Sequence, residues 1–354
     1  MARRYVSLKE VARQAGVSFQ TAGKVLNGGS VRVAPETAAR IVATANRLGY
    51  TPNSVARSLV RRSTMTIGLV ADTLNDPALA EFIVGAEAAA QANSLSFLVG
   101  SVTAPTASGA QVVSTLIERR VDGIICAAPQ LEEDAQVGEL LRRFVPAVSL
   151  HHVAGGQVPM LGSDHTEVGR LAIEHLLEIG CQRIGTVTGP AARRVVRSRR
   201  RGASAAFAAA NVASGESLIV EADWSPSDAA RATAELVARH PDLDGVFVHS
   251  DRMALAVLDA LHALGRRVPE EVAVVSCDDL DFAAHLRPAL STVRLPFRDT
   301  GARAVELLLR RIGGEQLDPD PVILPVELVA RQSSARVSTA AVASTRGDDD
   351  FSHD

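Results

Sequence analysis

The chain is poor in aromatic residues, poor in cysteine and free of long apolar runs, and each shortage narrows what it can be. Aromatics make up 3% of its 354 residues, with one tryptophan, so every aromatic position carries information. The three cysteines, Cys126, Cys181 and Cys277, lie far apart and form no CxxC pair. An odd count without secretory context reads as reduced thiols packed in cores. No apolar stretch approaches the length needed to cross a bilayer, and the opening MARRYVSLKE lacks the apolar segment of an export signal. A soluble, cytoplasmic protein with no membrane partner is expected. Catalytic groupings are missing too. There is no phosphate-cradling GxxxxGKS or GxxxxGKT and no nucleophile–base set. His151 and His152 are adjacent and project differently, while His165 and His175 stand ten apart, which is not zinc-helix spacing. The expectation is a protein that is not an enzyme and uses no metal or cofactor.

What is present is concentrated at the start. Residues 7–27 read SLKEVARQAGVSFQTAGKVLN, the pattern of a helix-turn-helix. Val11, Ala12 and Ala15 form an apolar stripe, and Gly16 suits a tight turn because glycine tolerates positive φ. Ser18 is placed to cap the next helix, which turns Val25 and Leu26 toward the first. Such a motif sets the start of its second helix in the DNA major groove. That start is Phe19-Gln20-Thr21, followed by Lys24. Pro35-Glu36 then open a third helix to about Leu48, closed by Gly49. Charge agrees: residues 1–63 hold eleven Lys/Arg and two Asp/Glu, a formal +9, while the rest carries a formal −12. A basic head on an acidic body fits binding to phosphate, with the salt dependence that entails.

From Met65 the texture changes. Short apolar runs (TIGLVAD, DGIICAAP, RIGTVTGP, GVFVHS, VAVVSCDD) alternate with helical patterns at Leu79–Ala92, Gly109–Arg119, Glu139–Phe144, Glu167–Ile179, Arg199–Ala210, Ser227–Arg239 and Arg252–Leu264. Alternation of this kind implies parallel sheets covered on both faces. The length accommodates two such sheets, hence two lobes and a cleft. Ligands of open parallel sheets sit beyond the carboxyl ends of the strands, which here carry Asp72, Pro129, His151, Gly189, Trp224, Ser250 and Asp278. The segment after Ala335 is small, polar and finally acidic, the composition of a disordered tail, and it has no leucine heptad for a coiled coil.

These stretches, taken in order with PNSVARSL, RLAIEHLLEIGCQRIG, DWS, SDRMALAVLDAL, CDD, LSTVRLP and LPVELVARQSS, resemble the lac repressor/galactose repressor family of bacterial transcription regulators over about residues 6–334. The resemblance implies a small all-α helix-turn-helix head and an α/β two-lobed body like that of periplasmic binding proteins. The head would span residues 1–49 and a hinge helix 50–63. The body would span 64–334, with an N-lobe of about 64–163 and 293–325 and a C-lobe of about 164–292 and 326–334. It also implies a homodimer on a pseudo-palindromic double-stranded operator, controlled by a small-molecule effector such as a sugar or sugar derivative. The expected DNA-contacting set is Ser7, Ser18, Phe19, Gln20, Thr21, Lys24 and Asn27 in the head, with Asn53, Ala56, Arg57 and Leu59 in the hinge. Leu59 would wedge into the minor groove, and Arg57 would meet phosphate. The expected effector set is Asp72, His151, Arg199, Trp224, Ser250 and Asp278.

Several positions depart from the family pattern. Gly23 replaces a usual serine, Lys24 an arginine, and Ala34 a capping serine. In the cleft His151 replaces an aspartate, Ser250 an asparagine and Ala78 an aromatic. The arginine run 193–201 raises the reading that Arg193 or Arg197 also faces the cleft and that the effector is anionic. A transport solute-binding protein would share the body, but such proteins are exported and carry no DNA-reading head. An activator, or a repressor that needs a corepressor, remains within the same class.

Overall fold

The computed structural model describes residues 6–26, 33–51, 58, 63–102, 108–212, 215–318 and 320–335. The chain divides into two compact units, Met1–Thr66 and Ile67–Asp354. Asn27, the hinge positions Asn53, Ala56, Arg57 and Leu59, and the tail beyond residue 335 lie outside the described residues.

Among its described residues the head forms helices α1 (Leu8–Ala15), α2 (Phe19–Leu26) and α3 (Pro35–Leu48). Ser7 caps α1 by accepting the Glu10 N–H at 3.3 Å, and Gly16 ends it at φ 65°. Ser18 caps α2 through the Thr21 N–H at 3.1 Å. Ala34 offers no side-chain cap to α3, which has proline at its first position instead. Ala12, Ala15, Ala22 and Ile41 form the core, with Leu8, Val17, Val25 and Leu26 packed around them. Small residues at the helix contacts let three short helices close on so little apolar mass. Gly23 belongs to this economy: a Cβ there would stand 3.3 Å from the Leu8 side chain. Arg40 adds a polar tie, donating to the Ala15 carbonyl at 3.0 Å.

The body carries two main sheets. One has the order β2 (Ser96–Ser101), β1 (Thr66–Ala71), β3 (Gly123–Ala127), β4 (Ala147–Ser149). The other has the order β12 (Glu327–Val329), β10 (Ser291–Arg294), β9 (Ala273–Asp278), β8 (Gly245–Val248), β6 (Ile184–Thr188), β7 (Ile219–Glu221). β5 (Leu161–Ser163) and β11 (Val322–Leu324) pair separately in parallel. Helices α4 (Pro77–Ala92), α5 (Gly109–Glu118), α6 (Ala135–Arg143) and α11 (Phe297–Ile312) belong with the first sheet. Helices α7 (His165–Glu178), α8 (Arg194–Ala209), α9 (Pro226–Arg239) and α10 (Asp251–Ala263) belong with the second.

Two close helix contacts fix these layers. A Cβ on Gly169 of α7 would come within 1.9 Å of the Arg199 carbonyl, and one on Gly202 of α8 within 1.8 Å of the Thr166 carbonyl. Only glycine permits that approach, and it presses Arg199 and His165 together. Gly85 and Gly301 do the same for α4 and α11. The three cysteines are buried free thiols, and burial pushes Cys126 up to about 11, which leaves it inert.

Some elements differ from the sequence reading. β12 runs antiparallel to β10, so the second sheet is mixed. Helix α6 starts at Ala135, four residues before the expected Glu139, because Asp134 accepts the Val137 N–H at 3.0 Å. Helix α8 begins at Arg194 with no side-chain cap, ahead of the expected Arg199. The chain returns to the first lobe near Pro296, since Val293 is a buried residue of β10.

Candidate functional site

The head presents one exposed helix face. Phe19 is 51% exposed and Gln20 and Lys24 are exposed, so the aromatic is no core residue of the head. Ser18 and Thr21 bond each other at 2.8 Å beside them. The face is thus an amide, an ammonium and an aromatic edge, rigidly spaced along α2. That chemistry suits base edges and thymine methyls.

The body encloses a cavity of about 280 Å³ between its two lobes. Asp72, His151, Arg199, Trp224, Ser250 and Asp278 all line it, although they lie up to 206 positions apart in sequence. Pro129 lines it as well, whereas Gly189 does not and instead backs the tryptophan, whose ring atoms stand 2.1 Å from where a Cβ would be. Trp224 therefore does two jobs: it packs on the second lobe's apolar core and forms cavity wall. It holds φ at 72°, and Asp278 at 127°, conformations unfavourable to side-chain-bearing residues. Strain of about 1–3 kcal/mol per residue persists only where packing over-determines it, and it clusters at binding sites.

Charge is split across the cavity. The first lobe contributes Asp72 and Asp76; the second contributes Arg193, Arg199, Arg252 and Asp278. Asp76 also caps α4, accepting the Ala78 N–H at 3.0 Å. Arg193 Nη2 reaches to 3.9 Å from Asp72 Oδ2. Next to it Arg194 bridges to Glu133 at 2.7 Å and to Glu132 at 3.5 Å. Arg197 does not line the cavity, because its guanidinium turns to the carbonyls of Ala191 and Ala192. Three guanidinium groups and three carboxyl groups thus share the wall.

Burial governs the titration of this wall. It raises the Asp72 carboxyl above its ordinary range, with Arg193 opposing. It lifts Asp278 well above the carboxylate range, assisted by the nearby Asp251 and opposed by Arg199. Asp251 is itself raised to about 6 by burial, although it accepts the Leu280 N–H and the Thr292 hydroxyl, each at 2.8 Å. His151 is lowered to about 4 by burial and by Arg193. Arg199, only 5% exposed, donates to the His249 carbonyl and lies 3.3 Å from His165 Nδ1. The Ser250 hydroxyl caps α10 by accepting the Met253 N–H at 3.2 Å, which leaves its own O–H to donate.

Asp76, His165, His249 and Arg252 line the cavity without having been anticipated. Asp76 had a readable signal, an acid before Pro77 at a helix start. His165 and His249 had none, since adjacency to a strand end does not say which side chain turns inward. Among the described residues no cluster of side chains is arranged to hold a metal ion, and no helix is long and apolar enough to cross a membrane.

Comparison with known proteins accounts for both units. Residues 7–53 match the bacterial regulatory proteins of the lacI family, and residues 173–334 match the periplasmic binding protein-like domain. The chain is 34% identical to the HTH-type transcriptional regulator CelR of Thermobifida fusca, across 94% of this chain and 99% of that one. A solved complex of the transcriptional regulator CelR with cellobiose aligns with a TM-score of 0.71 at 32% identity, covering 93% of this chain and 99% of the other. The lac repressor dimer bound to operator and the anti-inducer ONPF aligns with a TM-score of 0.85 at 28% identity, covering 94% and 99%.

Proposed function

The chain belongs to the lacI family of bacterial regulatory proteins, and we propose that it is a cytoplasmic repressor released from its operator by a neutral sugar held between the lobes of its body. It is a DNA-binding transcriptional regulator under small-molecule control, and it acts as a homodimer on double-stranded DNA. The observation that carries the sugar reading is the cavity itself. Trp224 offers an aromatic face to the apolar side of a sugar ring, and carboxyl and guanidinium groups offer acceptors and donors to hydroxyls. The effector-contacting set is Asp72, His151, Arg199, Trp224, Ser250 and Asp278, Ser250 accepting the Met253 N–H and keeping its O–H to donate. Cellobiose is the first probe, because the CelR relative was solved with it.

On DNA, Gln20 pairs with an adenine edge, Lys24 donates to guanine, Phe19 packs on a thymine methyl, and Ser7, Ser18, Thr21 and Asn27 meet phosphate. The hinge residues Asn53, Ala56, Arg57 and Leu59 add minor-groove and backbone contacts. Dimerisation has a ready surface in the body. β2 is an edge strand whose Leu98 and Val99 are both exposed, with Val84 of α4 exposed as well.

Fluorescence anisotropy with the DNA upstream of the protein's own gene tests the reading. The expected result is tight binding that weakens steeply with salt and is released by cellobiose. Sugar that tightens binding would make it a corepressor. Absence of DNA binding under every salt and sugar condition would refute the assignment.

A further inference from the structure

The first turn of α10 holds a cation that the helix itself does not need. Ser250 caps the helix, Asp251 and Met253 are fully buried, and Arg252 between them is half-buried and lines the cavity. Among the described residues its guanidinium makes no hydrogen bond and no ion pair. The adjacent carboxylate does not serve it, since Asp251 accepts the Leu280 N–H and the Thr292 hydroxyl, each at 2.8 Å. The other two arginines of the cavity have partners in the protein: Arg193 has Asp72 at 3.9 Å, and Arg199 donates to the His249 carbonyl. Elsewhere in the body pairing is the habit, with Arg170, Arg200, Arg231 and Arg294 each donating to a carboxylate.

Two penalties fall on Arg252. The first turn of a helix is the positive end of its dipole, where a cation is disfavoured, and a half-buried charge without a partner is costly. Methionine has a similar helix propensity and would cover the same wall with neither penalty. What arginine adds is a planar fork of five N–H donors and no acceptor. The Ser250 O–H, two residues back on the same wall, is a further donor. The start of α10 is therefore a strip of donors on the cavity wall, completed by a ligand that brings oxygen acceptors. Asp76 lines the cavity from the first lobe, within reach of the Arg252 charge, which opposes the rise that burial causes in its carboxyl. A hydroxyl ligand suits such a wall pair, because it accepts from a guanidinium and donates to a carboxylate.

We propose that Arg252 is a specificity-determining residue of the cavity, its guanidinium donating to hydroxyl oxygens of the sugar held between the lobes. This deepens the sugar reading and rests on it. A ligand with no oxygen at that place leaves the fork unpaired and is rejected, which is how polar sites discriminate more strongly than apolar ones.

The test compares full-length wild type, R252M and R252K by titration calorimetry with cellobiose and with ribose, by thermal melting without sugar, and by anisotropy without sugar on the DNA upstream of the protein's own gene. R252M should bind whichever sugar wild type takes about tenfold or more weakly, the loss expected for a hydrogen bond to a charged group. It should melt within about 2 °C of wild type and keep wild-type affinity for DNA. R252K keeps the charge without the fork and should recover part of the sugar affinity. Undiminished sugar affinity in R252M overturns the proposal and leaves the sugar reading standing. So does melting of R252M far below wild type, which would make Arg252 a residue of the scaffold. Wild type that takes up neither sugar fails the sugar reading in its own titration and removes this proposal with it.

Discussion

The head and the body recognise their partners by opposite means. The head displays its chemistry: Phe19, Gln20 and Lys24 stand exposed within six consecutive residues of one short helix. The body hides its chemistry, with Arg199 and Asp278 almost fully buried and drawn from distant strands and helices. A duplex is large and charged, so a protruding helix suffices, and its affinity comes mainly from phosphate neutralisation. A small polar ligand offers little area, so discrimination must come from desolvated, pre-placed groups whose alternatives are costly. The same contrast appears in the backbone. In the three helices of the head the positive-φ residues are the closing glycines Gly16 and Gly49, whereas Trp224, Asp278 and Asp279 in the body hold such conformations with side chains attached.

If that contrast is right, the body's site should fail through packing far from the ligand. Gly202→Val forces a side chain against the Thr166 carbonyl and separates α7 from α8. It should destabilise the body by about 3 kcal/mol or more, read as a lower melting transition and lost cellobiose binding. Unchanged melting would mean the close approach is not needed. Arg199→Ala removes a buried cation with a charge-assisted bond, and cellobiose affinity should fall by about 2 kcal/mol, or roughly thirtyfold, while operator affinity without sugar is retained. Equal loss of both functions would erase the distinction between the two regions.

Gln20→Ala should do the reverse. It is expected to weaken operator binding by about 1.5 kcal/mol and flatten preference at one base pair, with sugar affinity untouched in calorimetry. His151 gives a pH test. Its folded pKa of about 4 lies below the ordinary 6.5, so the unfolded chain binds the extra proton between those values. Stability from this group is present near neutrality and is lost as pH falls through that window. His151→Gln should therefore lose about 2 kcal/mol less than wild type between pH 7 and pH 5, measured by urea unfolding at both values. An identical loss in the two proteins would show that His151 titrates normally. Smallest of all, Gly23→Ala in α2 should stabilise the head by about 0.5 kcal/mol. The Cβ meets only the flexible end of Leu8 at 3.3 Å. A destabilised head would show that this contact cannot relax.

The legibility of the two regions follows from the same physics. The helix-turn-helix, its glycine stops and its serine caps were readable because each depends on neighbours within four residues. The strand–helix alternation was readable because apolar runs of strand length and helical periodicity are local properties. Six cavity residues were reachable from sequence through strand ends and family motifs, and all six line one space. The rest was not. β12 joins the second sheet antiparallel, α6 starts a turn early on the Asp134 cap, and α8 begins without a side-chain cap at an arginine bridged to Glu132 and Glu133.

Composition and local pattern by themselves determined a basic three-helix head, a two-sheet α/β body and the strand ends at which a ligand would be met. Tertiary packing alone decided that Asp76, His165, His249 and Arg252 border the cavity, that Arg197 turns away to the Ala191 and Ala192 carbonyls, and that the Ser250 hydroxyl accepts a helix-capping N–H. The reason is that a side chain's direction is fixed by what crowds it, and those neighbours lie tens to hundreds of residues away along the chain.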